Sequence, residues 1–338
     1  MDPLPSFEVL HPTTLNEALK VRTAHPDSKL LGGGTDLLVN IRRGIIAPQT
    51  IIDMNGVSEL RQVRANADMI EVGASVTLTE LATNPDVTRH YAVIAEAAGQ
   101  IAGPTHRNMG TVGGNICLDT RCIYYNQSEW WRGANNHCLK TTGTMCHVAP
   151  KSRGVCFATF SGDLAPAFLV FGAEVDLAGP KGKRTVPLNS IYIGFSRQDE
   201  PITDTLGDGK IYLSLRPGEF VTAVRAKNTP GLRSAYEKVR IRRSIEYPVA
   251  GVAVALRRDK DVLADLRVAV TGTNPRPVLL EGTAEICGGK LDEETFKKLD
   301  DLVRDQVMAM KTTFTPGHYR RRVAGALARR MVSRLFAG

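Results

Sequence analysis

Apolar and polar positions follow different rhythms along this chain, and the changes of rhythm divide it. In residues 1–60, Thr14 stands three residues before Glu17, the spacing at which a hydroxyl and a carboxylate cap a helix start. Ser28 to Leu31 predicts a strand running directly into Gly32-Gly33-Gly34, and Thr50-Ile51-Ile52-Asp53 predicts a second strand. The expectation is a small βαβ unit. From residue 61 the pattern changes. Met69 to Ala74 predicts a strand, and Thr77 with Glu80 repeats the capping spacing ahead of a helix through Leu81. Val87 to Ala102 predicts one longer amphipathic helix, stopped at Gly103-Pro104 because proline lacks a backbone donor. Leu164 to Phe171 predicts a helix and Glu174 to Leu177 a strand. A β-rich stretch begins near Glu219, with strands at Phe220 to Val224, Val249 to Leu256 and Ala264 to Val270. Helices over Asp292 to Met310 and Tyr319 to Phe336 close the chain. The class is α+β, with lobes expected at 1–60, 61–225 and 226–338.

Composition narrows the setting. The 338 residues allow two or three cores, and 43% hydrophobic with 23% charged residues is ordinary for a globular protein. No run of about 18 apolar residues offers a membrane span. Met1-Asp2-Pro3-Leu4-Pro5 lacks the basic and apolar runs of a secretory leader, so a cytoplasmic location is expected. Six cysteines in that compartment point to metal ligation or buried thiols rather than disulfides. The net charge, 43 − 35 = +8, favours an acidic partner, an anionic substrate or nucleic acid. Its basic clusters sit at Arg240 to Arg243 and in the tail from Arg320 to Arg334. No zinc-finger spacing or RNP-type aromatic pattern accompanies them, so nucleic acid is not expected.

Two glycine runs carry candidate chemistry. Gly32-Gly33-Gly34-Thr35 follows a strand, and its unshielded N–H groups can converge on phosphate oxygens with the Thr35 hydroxyl beside them. A tight turn is the plainer reading. The run is not G-x-G-x-x-G, so an ordinary Rossmann fingerprint is unsupported. The second run, Ile101 to Asn115, alternates small residues with donors such as Thr111 and Asn115, allowing a backbone to approach a ligand closely. Next, Cys122, Cys138, Cys146 and Cys156 fall within 35 residues at C-x15-C-x7-C-x9-C. Four thiolates suit a [4Fe–4S] cluster or a structural zinc, and the spacing alone does not choose between them.

Four motifs now share one order: Leu31-Gly32-Gly33-Gly34-Thr35-Asp36-Leu37, Arg107-Asn108-Met109-Gly110-Thr111-Val112-Gly113-Gly114-Asn115, Ser161-Gly162-Asp163-Leu164-Ala165-Pro166-Ala167, and Lys238 with Arg242 four residues on. In these the chain resembles the FAD-binding subunits of the molybdenum hydroxylases, the group of the xanthine and carbon monoxide dehydrogenases. The resemblance spans nearly the whole chain. It implies a two-lobed FAD-binding domain of the vanillyl-alcohol-oxidase (PCMH) type, then a smaller C-terminal α+β domain. It also implies cofactor contacts at Leu30, Leu31, Gly32, Gly33, Gly34, Thr35, Asp36 and Leu37, and at Thr111, Gly113, Gly114 and Asn115. Ile101 and Ala102 would lie at the flavin, with Asp163 as the acidic residue on the cofactor and Lys238 as its basic neighbour. A helix cap for Asp163 and a surface charge for Lys238 are the plainer readings.

The chain departs from the common family pattern by inserting about 40 residues between Thr120 and Ser161, an iron–sulfur insert expected over 118–160. Such an insert resembles that of the 4-hydroxybenzoyl-CoA reductases, the reductive branch of the family. This resemblance implies a [4Fe–4S] cluster on Cys122, Cys138, Cys146 and Cys156 that admits electrons from ferredoxin. It implies a hetero-oligomer with a molybdenum-cofactor large subunit and a small [2Fe–2S] subunit, acting on an aromatic CoA thioester, with no catalytic residue in this chain. The neighbouring flavin, and Tyr124, Tyr125, Trp130 and Trp131 as shields, favour iron–sulfur. The alternative is a zinc-stiffened loop in a subunit linked to NAD or quinone. Cys117 and Cys287 are expected as buried thiols outside the cluster, and His137 and His147 as exposed loop residues. The basic surface offers a dock for an acidic ferredoxin.

Overall fold

Thr14 caps the first helix as its spacing predicts, accepting the Glu17 N–H, while the Glu17 carboxylate turns back to Thr13 instead. The computed structural model describes residues 4–152, 154–195 and 207–338; residues 1–3 of the leader reading lie outside them. The first lobe runs Glu8–Leu10 (β1), Leu15–Ala24 (α1), Lys29–Leu31 (β2), Leu37–Arg42 (α2) and Thr50–Asp53 (β3). Its strands are parallel in the order β1-β3-β2. β1 escaped the sequence reading because the strand is largely exposed and its residues do not alternate. Ile52, Met54, Val57 and Leu60 fill the core beneath α1 together with Ala178 and Phe220, so the first lobe is built against the second.

The second lobe contains Val63–Ala65 (β4), Met69–Gly73 (β5), Leu78–Thr83 (α3), Pro85–His90 (α4), Ala92–Gln100 (α5), Pro104–Arg107 (α6), Val112–Ile116 (α7), Glu129–Ala134 (α8), Leu164–Leu169 (α9), Glu174–Gly179 (β6), Gly182–Pro187 (β7) and Phe220–Lys227 (β8). Thr77 and Glu80 form a complete capping box on α3. The strands pair antiparallel in the order β4-β5-β8-β6-β7. This placement corrects the third stretch, which does not begin at Glu219: β8 is the central strand of the second sheet. The single helix expected over Val87 to Ala102 is likewise two helices. Asn84 caps α4, and Tyr91 breaks the run with φ −136° and ψ 51°. Its buried ring stands edge-on to Phe171, with centroids 5.3 Å apart, and tertiary packing overrides helical continuity.

The C-terminal part contains Arg233–Val239 (β9), Ala250–Asp259 (β10), Val262–Thr271 (β11), Val278–Leu279 (β12), Glu293–Gln306 (α10) and Gly317–Ala337 (α11). Its strands pair antiparallel in the order β12-β11-β10-β9. β10 is buried on both faces. Val252, Val254 and Leu256 meet Val323, Ala324, Leu327 and Met331 of α11 in one core, while Ala253 and Ala255 belong to the core of the second lobe. Small side chains on that second face bring α5 and α9 close to the sheet.

The tail arginines are mostly engaged within the chain. Arg320 is buried and donates to the carbonyls of Val249, Met310 and Gly272; burial lowers its pKa to about 10. Arg329 pairs with Glu293 and Asp300, and Arg330 and Arg334 pair with Glu237. Among the described residues no helix is long and apolar enough to cross a membrane. Because Leu327 is buried in the α11–β10 core, Leu327→Ala should lower the unfolding free energy by about 2–5 kcal/mol in urea titration. A loss below about 1 kcal/mol would show that α11 contributes little packing energy.

Candidate cofactor site

The two glycine runs lie against one another. A Cβ on Gly33 would fall 1.8 Å from the Met109 carbonyl oxygen, and one on Gly32 would fall 2.6 Å from Thr111 Oγ1. Neither position has room for a side chain. Gly34 has φ +71°, a left-handed turn that glycine adopts without strain and that sends the chain from β2 into α2. Asn55 Nδ2 donates to the Gly32 carbonyl (2.8 Å) and fixes the first run from beneath. The second run is held by its own side chains. Thr111 Oγ1 accepts the Gly114 N–H (3.2 Å), and Asn115 Oδ1 accepts the Leu164 N–H (2.9 Å). A Cβ on Gly113 would meet Ala74 Cβ at 2.8 Å. The result is a glycine-lined seam between the lobes, where the Gly113, Gly114 and Asn115 N–H groups of the second run donate to the Ala74 carbonyl, Thr111 Oγ1 and the Thr111 carbonyl. Having accepted one bond, Thr111 keeps its own hydrogen to donate.

Asp36 behaves differently from its neighbours. Its carboxylate accepts two bonds from Arg121 Nη2 (2.7 and 2.9 Å) and one from Asn40 Nδ2 (2.9 Å). It is committed to protein partners and ties the first run to the residue just before Cys122. Arg121 was missed in the sequence because one arginine beside a cysteine carries no spacing signal; its side chain is only 6% exposed.

Asp163 and Lys238 come together. Lys238 Nζ lies 3.0 Å from Asp163 Oδ1, with both side chains almost fully buried, and the Tyr236 hydroxyl donates to the same carboxylate. The surface reading of Lys238 is therefore set aside. So is the cap reading of Asp163, whose side chain makes no cap bond to α9. Tyr236, another residue that no motif marks, has its pKa raised well above the usual phenol value by burial and by Asp163. Ile101 is buried at the end of α5, its carbonyl accepting from Arg107 Nη1 (2.9 Å), and Ala102 takes a positive φ of 43°. Leu30 and Leu31 are half-buried along the first run, Thr35 is exposed, and Leu37 opens α2.

The structure brings the four insert cysteines together. Cys122, Cys138, Cys146 and Cys156 are all buried and line one small cavity with Tyr124, Lys140, His147 and Val148. Backbone N–H groups face the sulfurs; Tyr125 N lies 3.3 Å from Cys122 Sγ. Burial nonetheless raises the Cys122 pKa to about 11. The Cys146–Cys156 contact draws Cys146 down and pushes Cys156 up, as one proton shared between two thiols would. Among the described residues no group of three or more His, Cys, Asp or Glu side chains is gathered tightly enough to hold a metal ion.

Several expectations around the cavity change. Trp130 is 80% exposed and shields nothing, whereas Trp131 packs on Tyr124 at 6.2 Å. His147 is a half-buried cavity residue, not an exposed one: its Nε2 bonds the His137 carbonyl (2.7 Å) and its ring packs on Tyr124. His137 is half-buried as well. Cys117 and Cys287 lie outside the cavity, half-buried; burial raises the Cys117 thiol to about 12.

Residues 5–226 match the family model described as the FAD binding domain in molybdopterin dehydrogenase, and 234–335 match the CO dehydrogenase flavoprotein C-terminal domain. The aldehyde oxidoreductase FAD-binding subunit of Escherichia coli K12 is 31% identical over 261 residues, covering 76% of this chain and 78% of that protein. The carbon monoxide dehydrogenase medium chain of Hydrogenophaga pseudoflava is 25% identical over 335 residues, 98% of each chain. The fold is similar to a chain in the crystal structure of the cyanide-inactivated Cu,Mo-CO dehydrogenase. That similarity has a TM-score of 0.78 at 24% identity and covers 100% of this chain and 99% of that one.

Gly33→Ala should abolish retained flavin absorbance, since the new methyl meets backbone, whereas Gly289→Ala, with nothing within 4 Å, should keep it. A yellow Gly33→Ala protein would remove the first run from the binding site. Lys238→Met strands a buried carboxylate and should destabilise the fold by about 3–5 kcal/mol in chemical denaturation, with Lys238→Met/Asp163→Asn recovering part of it.

Proposed function

This chain belongs to the FAD-binding subunits of the molybdenum hydroxylases, and we propose that within them it is the FAD and [4Fe–4S] subunit of a 4-hydroxybenzoyl-CoA reductase. In that role it accepts electrons from reduced ferredoxin and delivers them to [2Fe–2S] and molybdenum centres on a small and a large partner subunit. The enzyme it serves removes a phenolic hydroxyl from an aromatic CoA thioester. FAD supplies a carrier that exchanges electrons singly or in pairs.

The chain's own residues bind and position. Residues 30–35 and 37 with Thr111, Gly113, Gly114 and Asn115 hold the pyrophosphate, and Ile101 and Ala102 give the ring system an apolar edge. Lys238 and Asp163 set the polarity beside it. Cys122, Cys138, Cys146 and Cys156 hold the cluster, with backbone N–H groups directed at the sulfurs to offset thiolate charge. No residue of this chain is assigned to the reductive chemistry.

The single observation that carries the reading is the convergence of four buried cysteines, drawn from 35 residues of irregular chain, on one cavity. A cube of four iron atoms binds one thiolate at each iron and leaves its sulfurs spread around a hollow. The alternative is a zinc-stiffened loop on the same four thiols in a subunit linked to NAD or quinone. Ferredoxin docking through the tail arginines loses support, because most of those side chains are engaged within the fold.

Anaerobically purified protein should contain about four irons and four acid-labile sulfides per chain. Cys146→Ala should lower both while flavin absorbance persists. One zinc and no iron would overturn the cluster assignment and leave the FAD assignment standing.

A further inference from the structure

Lys140 lies in the wall of the cysteine cavity, and its ammonium is turned inward. Its side chain is 5% exposed. Nζ donates to Asp119 Oδ1 (2.8 Å), to the Gly209 carbonyl (2.8 Å) and to Thr120 Oγ1, so all three hydrogens have acceptors. It also rests over the rings of Tyr125 at 5.0 Å and Tyr212 at 5.4 Å. The charge is fixed in place and cannot swing to solvent. Asp119 is held on its other oxygen by the Tyr125 hydroxyl (3.1 Å) and does not line the cavity. Lys140 thus stands in the cavity wall with the cysteines while Asp119 stands behind it, and the Lys140 charge favours the Cys156 thiolate. Arg121, the other buried cation nearby, is spent on Asp36 and also does not line the cavity.

We propose that Lys140 and Asp119 together set the reduction potential of the redox group bound by the four cysteines, Lys140 raising it and Asp119 lowering it. The inference rests on the cluster reading above. Gaining one electron adds one negative charge inside a poorly solvated cavity. A cation on the wall stabilises that charge more strongly than it would in water, and an anion behind it opposes it. Thr120, Gly209 and the two tyrosines act through Lys140 as positioning groups.

The test is an anaerobic redox titration of the assembled enzyme, followed by electron paramagnetic resonance of the reduced cluster. Lys140→Met should move the midpoint negative, Asp119→Asn should move it positive, and Lys140→Arg should hold it near the wild-type value. Shifts of the same sign in the first two variants, or no shift in either with iron content intact, would overturn the assignment. If Lys140→Met fails to assemble a cluster, Asp119→Asn decides alone: a positive shift supports the proposal, and any other result overturns it. A wild-type enzyme without iron would instead sink the cluster reading itself, and this inference with it.

Discussion

The first glycine run can rest on the second only because residue 33 has no side chain: any Cβ there would lie inside the Met109 carbonyl. That backbone-on-backbone contact closes the first lobe on the second. Gly32 against Thr111 and Gly113 against Ala74 extend the same constraint. Larger residues would separate the lobes. The site is thus defined less by donor groups than by the absence of atoms between its two walls.

The Asp36–Arg121 pair passes that constraint on to the insert. Asp36 sits at the start of α2, directly after the glycine cradle, and Arg121 precedes the first cavity cysteine. Two charge-assisted bonds of 2.7 and 2.9 Å join them in a largely buried setting, where such geometry is strong and specific. From Arg121 the contacts continue through the Tyr125 ring to Asp119 and Lys140 at the cavity wall. The glycine runs and the cysteine cavity are consequently joined by a continuous path of side-chain contacts.

Local signals in the sequence were legible where local physics decides. The Thr14 and Thr77 caps, the β2 strand into the glycine run and the two closing helices all depend on neighbours within a few residues. The interruption at Tyr91 was not legible, because Phe171 imposes it from 80 positions away in sequence. The position of β8 was hidden similarly: its alternation marks a strand but not which sheet receives it. In the site, glycines and cysteines announced themselves by spacing. Arg121, Lys140 and Tyr236 did not, since their importance lies in what they reach across the fold.

The C-terminal sheet shows how far a boundary in sequence differs from one in energy. The first family match ends at 226, within β8, and the second begins at 234, within β9, yet β10 contributes to a core on each side of the sheet. Its Val-Ala-Val-Ala-Leu run, 252–256, alternates size along with direction: large residues fill the space under α11, and alanines admit α5 and α9. β9 adds polar joints, with Glu96 accepting the Tyr236 N–H (2.7 Å) and Gln100 donating to the Tyr236 carbonyl (3.1 Å). Tyr236 and Lys238 on that strand then reach Asp163. A disturbance of the C-terminal sheet should therefore be felt at Asp163 through β9, so the third region is built into the second rather than appended to it.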